Sequence, residues 1–146
     1  MQNLETLKAK GHVAIVIQRE DGSVETKEIK NLVVSSGLNY IVSRMKDATA
    51  TAMSHMAVGA GTTAAAAGDT ALGSELGRVA LTSTTVTTNT ITYVASFPAG
   101  TGTGAVTEAG IFNANVAGTL LCRTVFGVVT KNAGDSMTVT WQITIS

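Results

Sequence analysis

The sequence predicts a mainly β chain: an antiparallel β-sandwich or jelly-roll-like domain with one short α-helix at about 35–46. Three observations carry that expectation. The closing residues alternate strictly, with Met137, Val139, Trp141, Ile143 and Ile145 on one face and Ser or Thr or Gln on the other, the period of a half-buried strand. Further runs rich in Val, Ile and Thr are separated by Gly, Asn and Asp clusters, the punctuation of an all-β fold. One stretch has helical period instead: Leu38, Ile41, Val42 and Met45 fall at i, i+3, i+4 and i+7, the stripe of a helix laid on a core.

Taken in order, residues 1–10 read as an N-terminal arm and 11–146 as a single β domain, with Leu4 and Leu7 able to seat one helical turn. His12–Arg19 and Val24–Val34 form two strands joined by Glu20-Asp21-Gly22-Ser23, turn chemistry for a hairpin. Ser35 or Ser36 can N-cap the helix, and Arg44 and Lys46 complement its C-terminal dipole. Residues 47–51 read as a surface connection. A strand signal then ends at Gly59, and an Ala/Gly/Thr excursion follows. Val79–Val86, Thr90–Phe97, Ala105–Asn113, Thr119–Val129 and Ser136–Ser146 complete the strands. A Pro98–Gly104 loop, with one proline and three glycines, interrupts them. At ~1.5–3 kcal/mol per buried large side chain, the inner face of the last strand makes it indispensable.

Net charge is zero, so no basic face steers the chain to nucleic acid. Most of the ten basic and ten acidic residues fall before residue 48, leaving the rest soluble by hydroxyls or covered by a partner. The one cysteine, Cys122, rules out an intrachain disulfide and reads as a small buried hydrophobe. Residues 1–10 lack a signal-peptide core, and no run approaches the roughly 18 apolar residues of a membrane span. The expectation is a protein made in a cytoplasm that assembles there.

Catalytic signals are weak. Gly59-Ala-Gly61 imitates a dinucleotide turn, but Gly68-Asp69-Thr70 breaks the helix that turn must open. Gly100-Thr-Gly102-Thr-Gly104 lacks the Lys-Ser/Thr of a phosphate loop. His12 and His55 lie near apolar strands and read as structural. No catalytic residue, cofactor or metal ligand is expected. Glu108 sits mid-strand and needs a cation, which Arg78 or Arg123 can supply. The expectation is a structural Glu108–Arg123 ion pair that fixes strand register.

The segments GHVAIVIQREDGSVETKEIKNLVVSSGLNYIVSRM, HMAVGAGTTAAAAGDTALGSELGRVAL, FPAGTGTGAVTEAGIF, LLCRTVF and GDSMTVTWQITIS together cover about residues 11–146. They resemble small virion structural proteins of tailed bacteriophages, the head decoration (cement) and tail-fibre-like proteins. The positions matching that loop pattern are Gly59, Gly61, Gly68, Asp69, Thr70, Leu72, Glu75 and Arg78. The resemblance implies a virion location after assembly in the host cytoplasm, with a capsid decoration protein docked on the major capsid protein lattice. It also implies a homo-oligomer that binds other virion proteins and neither nucleic acid nor membrane. A tail-fibre, head-fibre or collar module in host recognition is the alternative. The expected partner-contact loop comprises Gly59, Gly61, Thr62, Thr63, Asp69, Thr70, Glu75 and Arg78. Asp69, Glu75 and Arg78 are expected to fasten it, and a chain lacking Ala64–Ala67 to fold but assemble poorly.

Overall fold

The computed structural model describes residues 6–46 and 50–146. Leu4, and residues 47–49 of the expected connection, lie outside them. The described residues form nine strands and one helix: β1 (Ala9–Gln18), β2 (Val24–Val33), α1 (Ser35–Arg44), β3 (His55–Gly59), β4 (Glu75–Ala80), β5 (Ser83–Thr87), β6 (Thr90–Phe97), β7 (Gly104–Phe112), β8 (Leu120–Lys131) and β9 (Ser136–Ile145). The strands make one sheet in the order β4-β3-β7-β8-β2-β1-β9-β6-β5, every neighbouring pair antiparallel.

The sheet curls because β2 serves both halves. Residues 24–31 of β2 pair with β1, from Gln18↔Val24 to Gly11↔Asn31, while Leu32 and Val33 pair with Arg123 and Cys122 of β8. Beyond that short ladder the two strands part, and side chains span the seam. Lys27 Nζ donates to the Gly127 carbonyl at 2.8 Å, Thr124 Oγ1 donates to the Lys30 carbonyl at 2.9 Å, and Arg19 Nη1 donates to the Thr130 carbonyl. The two halves face each other over a shared apolar core. Val13, Ile15, Ile17, Phe97, Val139 and Trp141 come from one half, and Met56, Val58, Val106, Ala109, Ile111 and Cys122 from the other.

β9 is central, hydrogen-bonded to β1 on one side and β6 on the other. Its Met137, Val139, Trp141 and Ile143 are buried, as the alternation predicts, and β6 buries Tyr93, Ala95 and Phe97 likewise.

Five expectations need correction. The residues 79–86 do not form one strand: β4 starts at Glu75, and β5 starts again at Ser83 after a break at Leu81-Thr82. The arm is shorter than ten residues, because Lys8 exchanges backbone hydrogen bonds with Ser146 and β1 begins at Ala9, although Leu7 is exposed. The helix ends at Arg44 and turns a different face inward. Gly37 is buried against the Leu121 backbone, Tyr40 and Ile41 pack on the core, and Leu38, Val42 and Met45 are exposed. Neither Ser35 nor Ser36 caps it. The N-cap is Val34 without a side-chain hydrogen bond; the Ser35 amide is taken by the Ala67 carbonyl at 2.8 Å, and Ser36 Oγ donates to the Leu120 carbonyl at 2.7 Å. His12, finally, is exposed on the outer face of β1, 3.8 Å from Glu28.

Candidate functional site

The long excursion between β3 and β4 wraps a buried carboxylate. Glu108 stands in the middle of β7, opposite Gly59 of β3 and Val125 of β8, and is 0% exposed. A charge so placed needs a full set of hydrogen bonds, and the loop supplies them from its own backbone. The amides of Gly61 and Ser74 donate to Oε1 at 2.8 and 2.7 Å, and the amide of Gly73 donates to Oε2 at 2.9 Å. Arg123, 3% exposed on β8, completes the set with Nε and Nη2 at 3.0 and 2.8 Å from Oε2. Burial pushes the Glu108 pKa up, but the amides of Ser74 and Gly73, the Arg123 guanidinium and the Gly61 amide outweigh it, and the net direction is down.

The remaining Arg123 donors reach further into the loop: Nη1 meets Asp69 Oδ2 at 2.8 Å, and Nη2 meets the Thr63 carbonyl at 3.0 Å. Asp69 Oδ2 also accepts from the Ala66 amide at 2.8 Å. That amide and Arg123 overcome desolvation and lower its pKa. Thr107 Oγ1, next to Glu108, donates to the Gly61 carbonyl at 2.7 Å. One ion pair therefore pins both legs of the loop and its tip.

The glycines of the loop follow from this geometry. A Cβ at Gly61 would lie 2.5 Å from Glu108 Oε1, and one at Gly59 would strike the Ser74 carbonyl as well as Glu108. Gly68 has open space around it. Gly59 and Gly61 thus make room for a carboxylate and belong to the inside of the expected contact set. Thr62, Thr63, Thr70 and Glu75 are exposed.

Arg78 does not join this network. It holds Glu75 through Nη2 at 2.7 Å, lies 3.8 Å above the centre of the Phe112 ring, and donates through Nη1 to the carbonyls of Ala114 and Ala117 at 2.9 and 2.8 Å. It fastens the turn after β7. Of the three residues expected to anchor the loop, Asp69 does so through Arg123, while Glu75 and Arg78 secure β4. Ala66 and Ala67 carry hydrogen bonds to Asp69 and Ser35, so loss of Ala64–Ala67 would disturb the frame itself.

Sequence reasoning found the Glu108–Arg123 pair from a lone mid-strand acid and missed the three loop amides, which no residue type encodes. A shallow depression of about 290 Å³ beside the loop is bounded by Lys30, Leu32, Thr62, Ala64 and Thr124. Elsewhere, a mainly apolar cleft of about 280 Å³ between α1 and the β5–β6–β9 surface is lined by Tyr40, Ile41, Thr84, Ile91, Tyr93 and Ile145. A second charge pair, half-buried Arg19 with buried Asp135 at 2.8 Å, closes the turn before β9, with the Asn132 amide also on Asp135. His55 Nδ1 lies 2.7 Å from Ser54 Oγ. Cys122 is buried, and burial pushes its thiol up. Among the described residues, no group of three or more His, Cys, Asp and Glu side chains is placed to hold a metal ion. None of the described helices is long and apolar enough to cross a membrane. No protein-family model, curated protein or solved structure matches the chain.

Proposed function

We propose that this chain is a binding protein without catalytic chemistry, a structural component of a tailed-phage virion that acts as a capsid decoration protein. The observation that carries the reading is the loop from Ala60 to Ser74, whose shape is fixed from inside by Glu108 and Arg123 while Thr62, Thr63 and Thr70 stay exposed. A surface already ordered loses little conformational entropy on docking, so its contacts convert more fully into affinity. Uncharged Thr and Ala side chains suit close packing on a repeated neighbour, where like charges would repel. The sequence resemblance to small virion structural proteins supplies the identity of that neighbour: the major capsid protein lattice. We read the curled sheet as a β-sandwich rather than a jelly roll, because its two halves share one core.

A tail-fibre, head-fibre or collar module is the second reading, favoured by the exposed Ser/Thr-rich β5. The two separate in one experiment. Purified protein is mixed with capsids lacking it, and bound copies are measured after sedimentation. Saturable binding at copy numbers commensurate with the capsid lattice supports decoration; a few copies per particle favour the tail or collar. No binding to capsids or tails overturns both.

A further inference from the structure

We propose that the free edge of β5 is a self-association surface, on which β5 pairs antiparallel with β5 of a second copy about a two-fold axis at Thr85. The proposal is independent of any virion role.

β5 ends the sheet, with β6 on one side only. A two-residue loop, Thr88-Asn89, joins it to β6, with Thr87 opposite Thr90. In such a hairpin the closing pair is hydrogen-bonded. By alternation Ser83 and Thr85 then bond inward, while Thr84 and Val86 turn their N–H and C=O groups outward. An edge of this kind is a template for another strand unless something blunts it.

Elsewhere in the molecule edges are blunted. β8 faces the seam with carbonyls already taken by Lys27 and Arg19. β4 carries Glu75 and Arg78 and shifts register against β3 at Val58/Gly59. β5 has neither device: its register is regular, its sequence is Ser-Thr-Thr-Val-Thr, and residues 79–107 contain no Asp, Glu, Lys or Arg.

A second copy fits this edge in three respects. Its backbone groups are self-complementary: with the axis at Thr85, Thr84 of each copy meets Val86 of the other. Its charge is matched, because a neutral segment brings no like-charge repulsion against itself. Its apolar surface is used as well. Val86 is 70% exposed, and it lies on the same face as its partner Ile91 and as Thr84, which lines the apolar cleft. A β5 pair covers Val86 and extends the cleft wall across the axis. A closed two-fold contact of this kind ends at the dimer, and a five-residue edge places it among weak interfaces, below about 1,200 Å².

Sedimentation velocity over a wide concentration range tests the proposal. The 14.9 kDa chain is expected to pass from monomer to dimer and no further. Val86→Lys should weaken the dimer by about tenfold or more, with melting temperature unchanged, and Val86→Thr should retain it. Thr85→Cys should give a disulfide-linked dimer on oxidation, since residues paired across the axis sit ~4.5–5.5 Å apart; Thr87→Cys should not. A monomer at every concentration, growth beyond a dimer, a dimer indifferent to Val86→Lys, or equal cross-linking from positions 85 and 87 would each overturn it.

Discussion

Residues 59–74 and residues 83–97 are both nearly uncharged and rich in small or hydroxyl side chains, Ala, Gly and Thr in the first and Thr and Ser in the second, and Asp69 is the only charged side chain in either. The first stretch is held shut from within. Its amides at 61, 73 and 74 converge on Glu108, and its tip is tied to Arg123 through Asp69 and Thr63. The second is a regular hairpin whose β6 strand is locked to β9, while its β5 strand has an open side. Composition is therefore a poor guide to what a neutral surface does. A single buried carboxylate decides whether the backbone hydrogen bonds are satisfied inside the chain or remain available to another.

The sharpest way to break the comparison is to remove the carboxylate. Glu108→Ala leaves Arg123 Nε and three loop amides without their acceptor and Arg123 with Asp69 as its remaining acid, and should cost about 3–5 kcal/mol in denaturant unfolding. Replacing both charges, Glu108→Leu with Arg123→Met, should not restore stability, because the amides of Gly61, Gly73 and Ser74 still lack an acceptor. Full rescue by the double variant would mean that the ion pair, and not the loop backbone, is what Glu108 serves.

A smaller effect is expected within the loop itself. Gly61→Ala drives a methyl group against Glu108 Oε1 and should cost about 1–3 kcal/mol, whereas Gly68→Ala enters open space and should stay within about 0.5 kcal/mol. Equal costs at the two positions would remove the geometric reason for the glycines.

The pH dependence adds a third test. Glu108 and Asp69 are both held below their ordinary values of 4.5 and 3.8. The stability they contribute is fully present above those values and is lost as pH falls through the lower folded-state values. The melting-temperature gap between wild type and Glu108→Gln should therefore narrow in acid below about pH 4.5. A gap that widens there would reverse the assigned shift. The smallest effect belongs to the open side: Val86→Lys should change the stability of the monomer by less than about 0.5 kcal/mol, because the side chain has little to lose.

Much of the architecture is readable from side-chain period. β6 alternates from Thr92 to Phe97 and β9 from Ser136 to Ile143, so each inner face is legible there residue by residue. The helix is legible as a helix but not in its orientation. Large apolar residues mark Leu38, Ile41, Val42 and Met45 as the inner stripe, yet of these only Ile41 packs on the core, and α1 seats on Gly37, whose lack of a Cβ allows contact with the Leu121 backbone. Periodicity weighs bulk and cannot register a close approach. The break between β4 and β5 is hidden for a related reason: Leu81 and Thr82 suit a strand, and only the turn from β3 to β6 as neighbours separates the two. At the site, an acid in mid-strand points to a cation. Backbone amides have no sequence signature beyond the glycines that let them approach.

Amide hydrogen exchange read residue by residue tests the central claim most directly. Slow exchange is expected at Gly61, Gly73 and Ser74, approaching that of the β7 and β9 amides, with fast exchange at Gly68. In Glu108→Gln the first three should speed up selectively while β9 stays protected. If those amides already exchange as fast as Gly68 in the wild-type chain, the loop is not held by Glu108 and the account of a preordered contact surface fails.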